Sequence, residues 1–240
     1  MAWGDVNGDG RLDVFVGGAA GTAAELRIAT GSGQFEFKST KAFDQDTAGE
    51  DVAATMADFD SDGDLDLIVG RGSYEFPKDD ALLANRLYLN DGSGSFELAP
   101  QGTIPGSTAV TSAVETCDFD QDGDLDLFVG TRVLSGEYPL SQPSELWINE
   151  KGSFKIATDG NTAGLDSLGM VTGAKWADVD GDGWKDLVVS REWDTLALFK
   201  NQKGKLKLAQ QTGDLGRRTG WWNDLVHADF DGDGLSLIHI

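Results

Sequence analysis

The sequence predicts an all-β fold built from repeated four-stranded antiparallel blades, and three observations carry that expectation. An acidic nine-residue pattern, D-x-D-x-D-G-x-x-D or a close variant, recurs five times in 240 residues, starting at Asp5, Asp58, Asp118, Asp178 and Asp229. The starts lie 53, 60, 60 and 51 residues apart, and self-similarity at such a period signals a repeat architecture. Around each copy lie short apolar runs, several alternating with a period of two, and turn residues fall at fixed offsets between them. Two hairpins in every unit, with no helical period anywhere, describe a four-stranded propeller blade.

Taken in order, each unit opens with a strand that enters the acidic loop: Asp51 to Ala57, Ser112 to Cys117, Gly173 to Ala177 and Asp224 to Ala228. The chain begins Met1-Ala2-Trp3-Gly4, directly ahead of Asp5. The first strand of that unit is therefore expected to be missing and the N-terminus to be a truncation. The second strand leaves the loop, as in Leu65 to Val69 and Leu187 to Ser190. A third, alternating strand follows at Glu25 to Ile28, Arg86 to Asn90, Glu145 to Asn149 and Leu196 to Phe199. Turns at Gly31-Ser32-Gly33, Asp91 to Gly94, Lys151-Gly152 and Lys203-Gly204 lead into the fourth strands, Phe35 to Lys38, Phe96 to Ala99, Phe154 to Ala157 and Leu206 to Ala209. This gives one truncated domain over 1–240, with units at about 1–40, 51–100, 110–158 and 172–210 and a partial unit at 222–234. Residues 235–240 resemble translated adapter sequence and read as an artefactual tail.

The acidic loops read as sites for a hard divalent cation. Several carboxylates in one turn repel one another, so an unfilled loop would open. Ca²⁺ takes six to eight oxygen ligands, and glycine at position 6 allows the sharp turn that gathers them. Side chains at positions 1, 3, 5 and 9 and the carbonyl at position 7 are the expected ligands, with water completing the shell. That assigns Asp5, Asn7, Asp9, Arg11 and Asp13 to the first loop, and Asp58, Asp60, Asp62, Asp64 and Asp66 to the second. The third takes Asp118, Asp120, Asp122, Asp124 and Asp126, and the fourth Asp178, Asp180, Asp182, Trp184 and Asp186. A fifth copy offers Asp229, Asp231 and Asp233 but has Leu237 in place of the last aspartate. About four full Ca²⁺ sites and an incomplete fifth are expected. An EF-hand would end with a bidentate Glu at position 12; here that position is Val16, Val69, Val129, Val189 or Ile240, none of which can ligate. Asp-Gly pairs make turns without any ion, which accounts for one copy but not for five with the same ligand spacing.

Net charge is −22, and five filled sites would add ten positive charges, leaving −12. Much of the acidity is thus loop chemistry, and the remainder disfavours nucleic acid and anionic membranes as partners. No apolar run approaches the roughly 20 residues of a membrane span, so no membrane insertion is expected, and no signal peptide is present. The single Cys117 allows no internal disulfide and reads as a small buried apolar side chain. Weak Ca²⁺ sites of extracellular modules need about 10⁻⁴–10⁻³ M ion, which suits a place outside the cell or on its surface.

The run Asp58 to Gly70, followed by Arg86-Leu87-Tyr88-Leu89-Asn90-Asp91-Gly92-Ser93-Gly94-Ser95-Phe96, resembles the FG-GAP/VCBS repeats, the calcium-binding blades of integrin-alpha-like β-propellers. The resemblance covers essentially residues 2–234. Residues 167–233, with Gly220-Trp221-Trp222-Asn223 ahead of Asp229, are also similar to bacterial repeat proteins that carry an ASPIC/UnbV domain. It implies Ca²⁺ in the loop joining strands 1 and 2 of each blade, and about seven blades in a whole ring, of which about four are present. It also implies a non-catalytic scaffold on secreted or surface proteins, used in adhesion or ligand binding.

In such propellers the strand 2–3 and strand 4–1 loops share the face where partners dock. Here the long strand 2–3 loops hold Tyr74, Phe76 and Tyr138, and Trp193, Trp221 and Trp222 are expected near the same face. Exposed rings there could stack on a carbohydrate or anchor a protein; alternatively they cap the packing between blades. Catalysis finds little support, because neither H-E-x-x-H nor G-x-S-x-G is present. His227 falls in a strand and His239 in the tail. The alternative is the propeller of a calcium-dependent polysaccharide lyase or another carbohydrate-active enzyme, with Lys78, Arg132 and Arg191 as the basic candidates. A third reading is an architectural spacer.

Overall fold

The alternating runs form strands in a computed structural model that describes residues 1–158, 160, 162–209, 216–228 and 237–239. The first antiparallel sheet is β1 (Ala2–Gly4), β2 (Asp13–Val16), β3 (Glu25–Gly31) and β4 (Gln34–Lys38), paired in chain order. The strand expected to be missing is therefore present, three residues long, with Trp3 opposite Val14. The second sheet is β5 (Asp51–Ala57), β6 (Asp66–Arg71), β7 (Arg86–Asn90) and β8 (Phe96–Leu98). The third is β9 (Thr111–Cys117), β10 (Asp126–Thr131), β11 (Glu145–Glu150) and β12 (Ser153–Ile156).

The fourth sheet is larger. After β13 (Thr162–Ala163) come β14 (Val171–Ala177), β15 (Asp186–Asp194), β16 (Ala197–Asn201) and β17 (Leu206–Leu208), and β13 pairs in parallel with the outer strand β17. β15 runs on past its neighbours to pair with β18 (Gly220–Trp221). A last hairpin joins β19 (Val226–Ala228) to β20 (Leu237–His239), the first two strands of the partial unit.

The core lies between blades, because the two-residue period sends alternate side chains of one strand to opposite neighbours. Leu67, Val69 and Tyr88 pack towards Phe15 and Leu26 of the first blade. Ile68 and Leu87 pack towards Val114, Leu127 and Trp147 of the third. Phe128 and Leu146 meet Val171, Leu187 and Phe199 of the fourth in the same way. Being sandwiched on both faces, β6 and β10 are buried at all six positions, which is why they read as unbroken apolar runs. Cys117 is half-buried against the last of these clusters, and burial together with Asp118 and Asp126 pushes its thiol up to about 12.

Three short helical turns among the described residues depart from the all-β reading, two of them 3-10 turns at Ala81–Leu83 and Leu165–Ser167. The connection from the first to the second blade contains a single helical turn, α1 (Lys41–Gln45). It drops Phe43 between the blades, in edge contact with Phe15 and Tyr88 and stacked on Phe96. Just beyond, Asp46 accepts from Arg71, from Arg86 Nε at 2.8 Å and from the Tyr88 hydroxyl at 2.8 Å. Burial works to raise the Asp46 pKa, but the two guanidinium groups and the phenol outweigh it and hold it below the ordinary aspartate range. Asp51, also on Arg71, goes the other way: its burial is only partly offset by the Gly18 N–H and Arg71.

A carboxylate depressed in the fold lends stability that is present above its unfolded pKa and is lost as pH falls through the folded one. Asp46→Asn is therefore expected to flatten the loss of stability below about pH 4. Urea melts stepped from about pH 5 to pH 2 check it, and an unchanged slope would remove Asp46 as a cause.

Candidate metal centres

All four described acidic loops join the first and second strands of their blades, at the same end of each sheet. Their shape comes from carboxylates that cap the loop's own backbone. Asp58 Oδ2 accepts from Gly63 N at 3.1 Å, and Asp62 Oδ1 from Asp64 N at 3.0 Å. The third loop repeats this with Asp118 and Gly123 at 3.2 Å and Asp122 and Asp124 at 2.9 Å. The fourth does so with Asp178 and Gly183 at 2.9 Å and Asp182 and Trp184 at 2.9 Å. In the first, Asp5 holds Gly10 N at 2.7 Å and Asp9 holds Arg11 N at 2.9 Å; the Gly10 N–H draws the Asp5 pKa down. The position-6 backbone is left-handed, with φ +98° at Gly63, a conformation glycine adopts without a Cβ clash.

The geometry brings three of the predicted carboxylates together in each of the second, third and fourth loops, but not Asp5, Asp9 and Asp13 of the first. Carboxylate oxygens of Asp58, Asp60 and Asp62 lie within 4.8 Å of one another, as do those of Asp118, Asp120 and Asp122 and of Asp178, Asp180 and Asp186. Asp58 Oδ1 and Asp120 Oδ1 are buried with no hydrogen-bond partner. A buried carboxylate oxygen left unpaired is costly, and a cation in the loop would satisfy it; the second and third loops thus fit a metal. Burial and the facing Asp62 and Asp122 raise the pKa values of Asp60 and Asp120. The side chains of Asp64, Asp124, Arg11 and Trp184 stand at position 7, where only the backbone carbonyl is asked to ligate.

The position-9 aspartates have a second role that their spacing did not reveal. Asp13, Asp66, Asp126 and Asp186 are all essentially inaccessible. Each bridges its own loop to the third strand. Asp66 takes Phe59 N at 3.1 Å and Asn90 N at 2.9 Å; Asp126 takes Phe119 N at 3.1 Å and Asn149 N at 2.9 Å. Asp13 and Asp186 do the same with Val6 and Ala29 and with Val179 and Asn201. Burial first, and the charges of the neighbouring position-3 and position-5 aspartates, push Asp66 up to about 6 and Asp126 up to about 7.

Sequence reasoning also missed an asparagine that closes each loop from the next blade. Asn90 Nδ2 donates to Val6 O at 2.9 Å, Asn149 Nδ2 to Phe59 O at 2.8 Å and Asn201 Nδ2 to Phe119 O at 2.7 Å. Each also donates to its own blade, at Leu65, Leu125 and Lys185 O, all at 3.1 Å. The signal was there: an asparagine stands last or next to last in the third strand of three units. Its partner, a whole blade away, was not visible.

At the opposite end of the sheets, three of the predicted face residues converge. Trp193 Nε1 donates to the Tyr138 hydroxyl at 2.7 Å, and the Trp193 and Trp221 rings lie 5.0 Å apart at 45°. All three are more than half exposed, as is Tyr74. Tyr74 lines an open cleft of about 310 Å³ that also takes in Glu50, Glu75 and Arg132. Phe76 is half-buried, packed on Leu83, Val110 and Val133 under its loop. Trp222 is tied to Asp194 O at 2.9 Å. Of the basic candidates, Arg132 pairs with the buried Glu192, and Arg191 with Asp194 at 2.9 Å. The fifth loop, with Asp229, Asp231 and Asp233, lies outside the described residues, as does the His227 side chain.

Four-stranded blades packed face to face, each with an acidic loop at the same end, define the class: a β-propeller-type repeat protein with candidate cation sites in its strand 1–2 loops. The FG-GAP-like repeat matches residues 5–69, 78–129 and 178–236, and the chain belongs to that family. Integrin alpha-7 of Rattus norvegicus is 30% identical over 163 residues, covering 64% of this chain and 14% of the integrin. Integrin alpha-7 of Homo sapiens is 32% identical over 158 residues, 64% of this chain and 13% of the integrin. The matched region thus spans about a seventh of the length of these relatives. Among solved structures, the fold matches an Agrocybe aegerita lectin described as recognising non-reducing terminal N-acetylglucosamine. That match has a TM-score of 0.54 and 21% identity, over 85% of this chain and 49% of the lectin. The Photorhabdus luminescens Tc holotoxin pore matches with a TM-score of 0.50 and 21% identity, over 98% of this chain and 10% of that one. No helix among the described residues is long and apolar enough to cross a membrane.

Proposed function

We propose that the chain is part of a calcium-stabilised, non-catalytic binding or adhesion module that works outside the cell or on its surface. Ca²⁺ occupies the strand 1–2 loops and rigidifies the blades. The opposite face presents Tyr138, Trp193 and Trp221, with Tyr74 beside its cleft, to a protein or carbohydrate ligand. The observation that carries this is the division of the blade: converging carboxylates with orphaned oxygens at one end, exposed and mutually bonded aromatic rings at the other. Similarity to integrin alpha-7 and to the fold of a lectin supports a binding role. The enzyme alternative is weakened by the engagement of Arg132 and Arg191 in internal ion pairs.

A thermal melt in Ca²⁺, in Mg²⁺ and in chelator tests the calcium half. Sites of about 10⁻⁴ M filled from about 10 mM Ca²⁺ add about 2.7 kcal/mol each, since the ion binds only the folded state. Two filled loops then raise the melting temperature by roughly 10–20 °C. Equal melting temperatures in Ca²⁺ and chelator would sink the reading.

A further inference from the structure

We propose that Lys200 is a resident counter-ion of the fourth acidic loop, which makes that loop a weak divalent site beside the tighter second and third. The inference rests on the calcium reading above and adds what sets the loops apart. Lys200 Nζ lies 2.8 Å from Asp180 Oδ2 and 3.1 Å from Asp186 Oδ2. With Asp178, those are the carboxylates whose oxygens converge in this loop. An ammonium on a tether thus stands among the groups that would hold a metal, carrying one charge where Ca²⁺ carries two.

Strand register shows that this is particular to the fourth blade. Lys200 precedes Asn201 in β16, as Leu89 precedes Asn90 in β7 and Ile148 precedes Asn149 in β11. The equivalent position in those two blades is apolar, as is Ile28 ahead of Ala29 in β3, and none brings a charge to its loop. Composition agrees: the second and third loops each carry five aspartates, and the fourth carries four. Satisfaction of the carboxylates agrees as well. Asp58 Oδ1 and Asp120 Oδ1 are buried and unpartnered, while among the described residues no carboxylate oxygen of the fourth loop is. A divalent ion entering there must first displace Lys200 from two charge-assisted hydrogen bonds. The first loop has a milder version, with Arg11 Nη2 on Asp9 Oδ2 at 2.6 Å at the exposed rim; it touches one ligand, not two.

Terbium titration of the full chain tests this, because Trp184 sits at position 7 of the fourth loop alone and sensitises an ion bound beside it. The other loops have Arg11, Asp64 and Asp124 there. The luminescence component lost in Trp184→Phe belongs to the fourth loop. In the wild type that component should saturate after those of the second and third loops. Lys200→Met should shift its midpoint to lower ion concentration by about tenfold or more, the effect of removing one close positive charge, and Lys200→Gln should do likewise. Without divalent ions the same variants should melt below the wild type, and Ca²⁺ should restore them. If terbium fills the second and third loops but neither variant moves the fourth-loop midpoint, the inference fails and the calcium reading stands. If no loop binds terbium or Ca²⁺, both fail.

Discussion

Arg71→Met is expected to destabilise the protein by about 3–5 kcal/mol, the usual cost of removing one partner from a buried ion pair. Arg71 is 1% exposed at the end of β6. Its guanidinium meets Asp46 Oδ2 at 3.1 Å and Asp51 Oδ1 at 3.4 Å, and Nη2 also donates to Asp46 O at 3.1 Å. A carboxylate on the linker between the first and second blades and another at the start of β5 thus converge on one cation. Gly49 makes room for it, since a Cβ there would come within 2.6 Å of Arg71 Nη1. Methionine keeps the bulk and takes the guanidinium away from both acids. Arg86 and Tyr88 still hold Asp46, so Asp51 bears most of the loss. Chemical denaturation with the melting temperature measures it, and a fall of roughly 10 °C is expected for a chain of this size. Arg71→Lys should recover only part, because an ammonium cannot reproduce the planar fork that spans the two carboxylates. A variant as stable as the wild type would show the cluster to be ornamental.

Asn149→Ala is the second large effect. Asn149 is fully buried. It satisfies Phe59 O, Leu125 O and Gly152 N together, the last through Oδ1 at 2.8 Å. Truncation leaves two carbonyls and an N–H without partners, each costing about 1–3 kcal/mol. Since these share one cavity, about 3–4 kcal/mol in total is expected. Asn149→Asp should be worse, because a carboxylate can only accept and would face two carbonyls. Both changes should weaken Ca²⁺ in two loops at once, since Phe59 lies in the second and Leu125 in the third. Urea melts with and without Ca²⁺ report the stability. Terbium stoichiometry reports the loops, and loss confined to one of them would contradict the bridging role.

The strand ladder was legible because a period of two is local and five repeats let each unit check the others. The acidic loops were legible for the same reason: the spacing of their aspartates is local. What escaped involves distant partners or isolated features. Nothing periodic marks α1, so Phe43 could not be placed between blades. Asp66 and its counterparts were visible as candidate ligands but not as bridges to the third strand. Phe76 stands beside Tyr74 in sequence, yet the loop folds back through Leu83 and half-covers it. Tyr138, Trp193 and Trp221 were assigned to one face by topology alone, whereas their mutual contact depends on β15 extending to Asp194 and pairing with β18. Lys200 looked like any alternating polar residue until the register placed it on Asp180.

The asparagine links have a direction: each loop is closed by a residue made later. Val6 waits 84 residues for Asn90, Phe59 waits 90 for Asn149, and Phe119 waits 82 for Asn201. At about 5–20 residues per second of synthesis, each of these three loops stands unsealed on its downstream side for on the order of ten seconds after it leaves the ribosome. During biosynthesis the newest blade is always the loosest, and it is the arrival of the next third strand that shuts it.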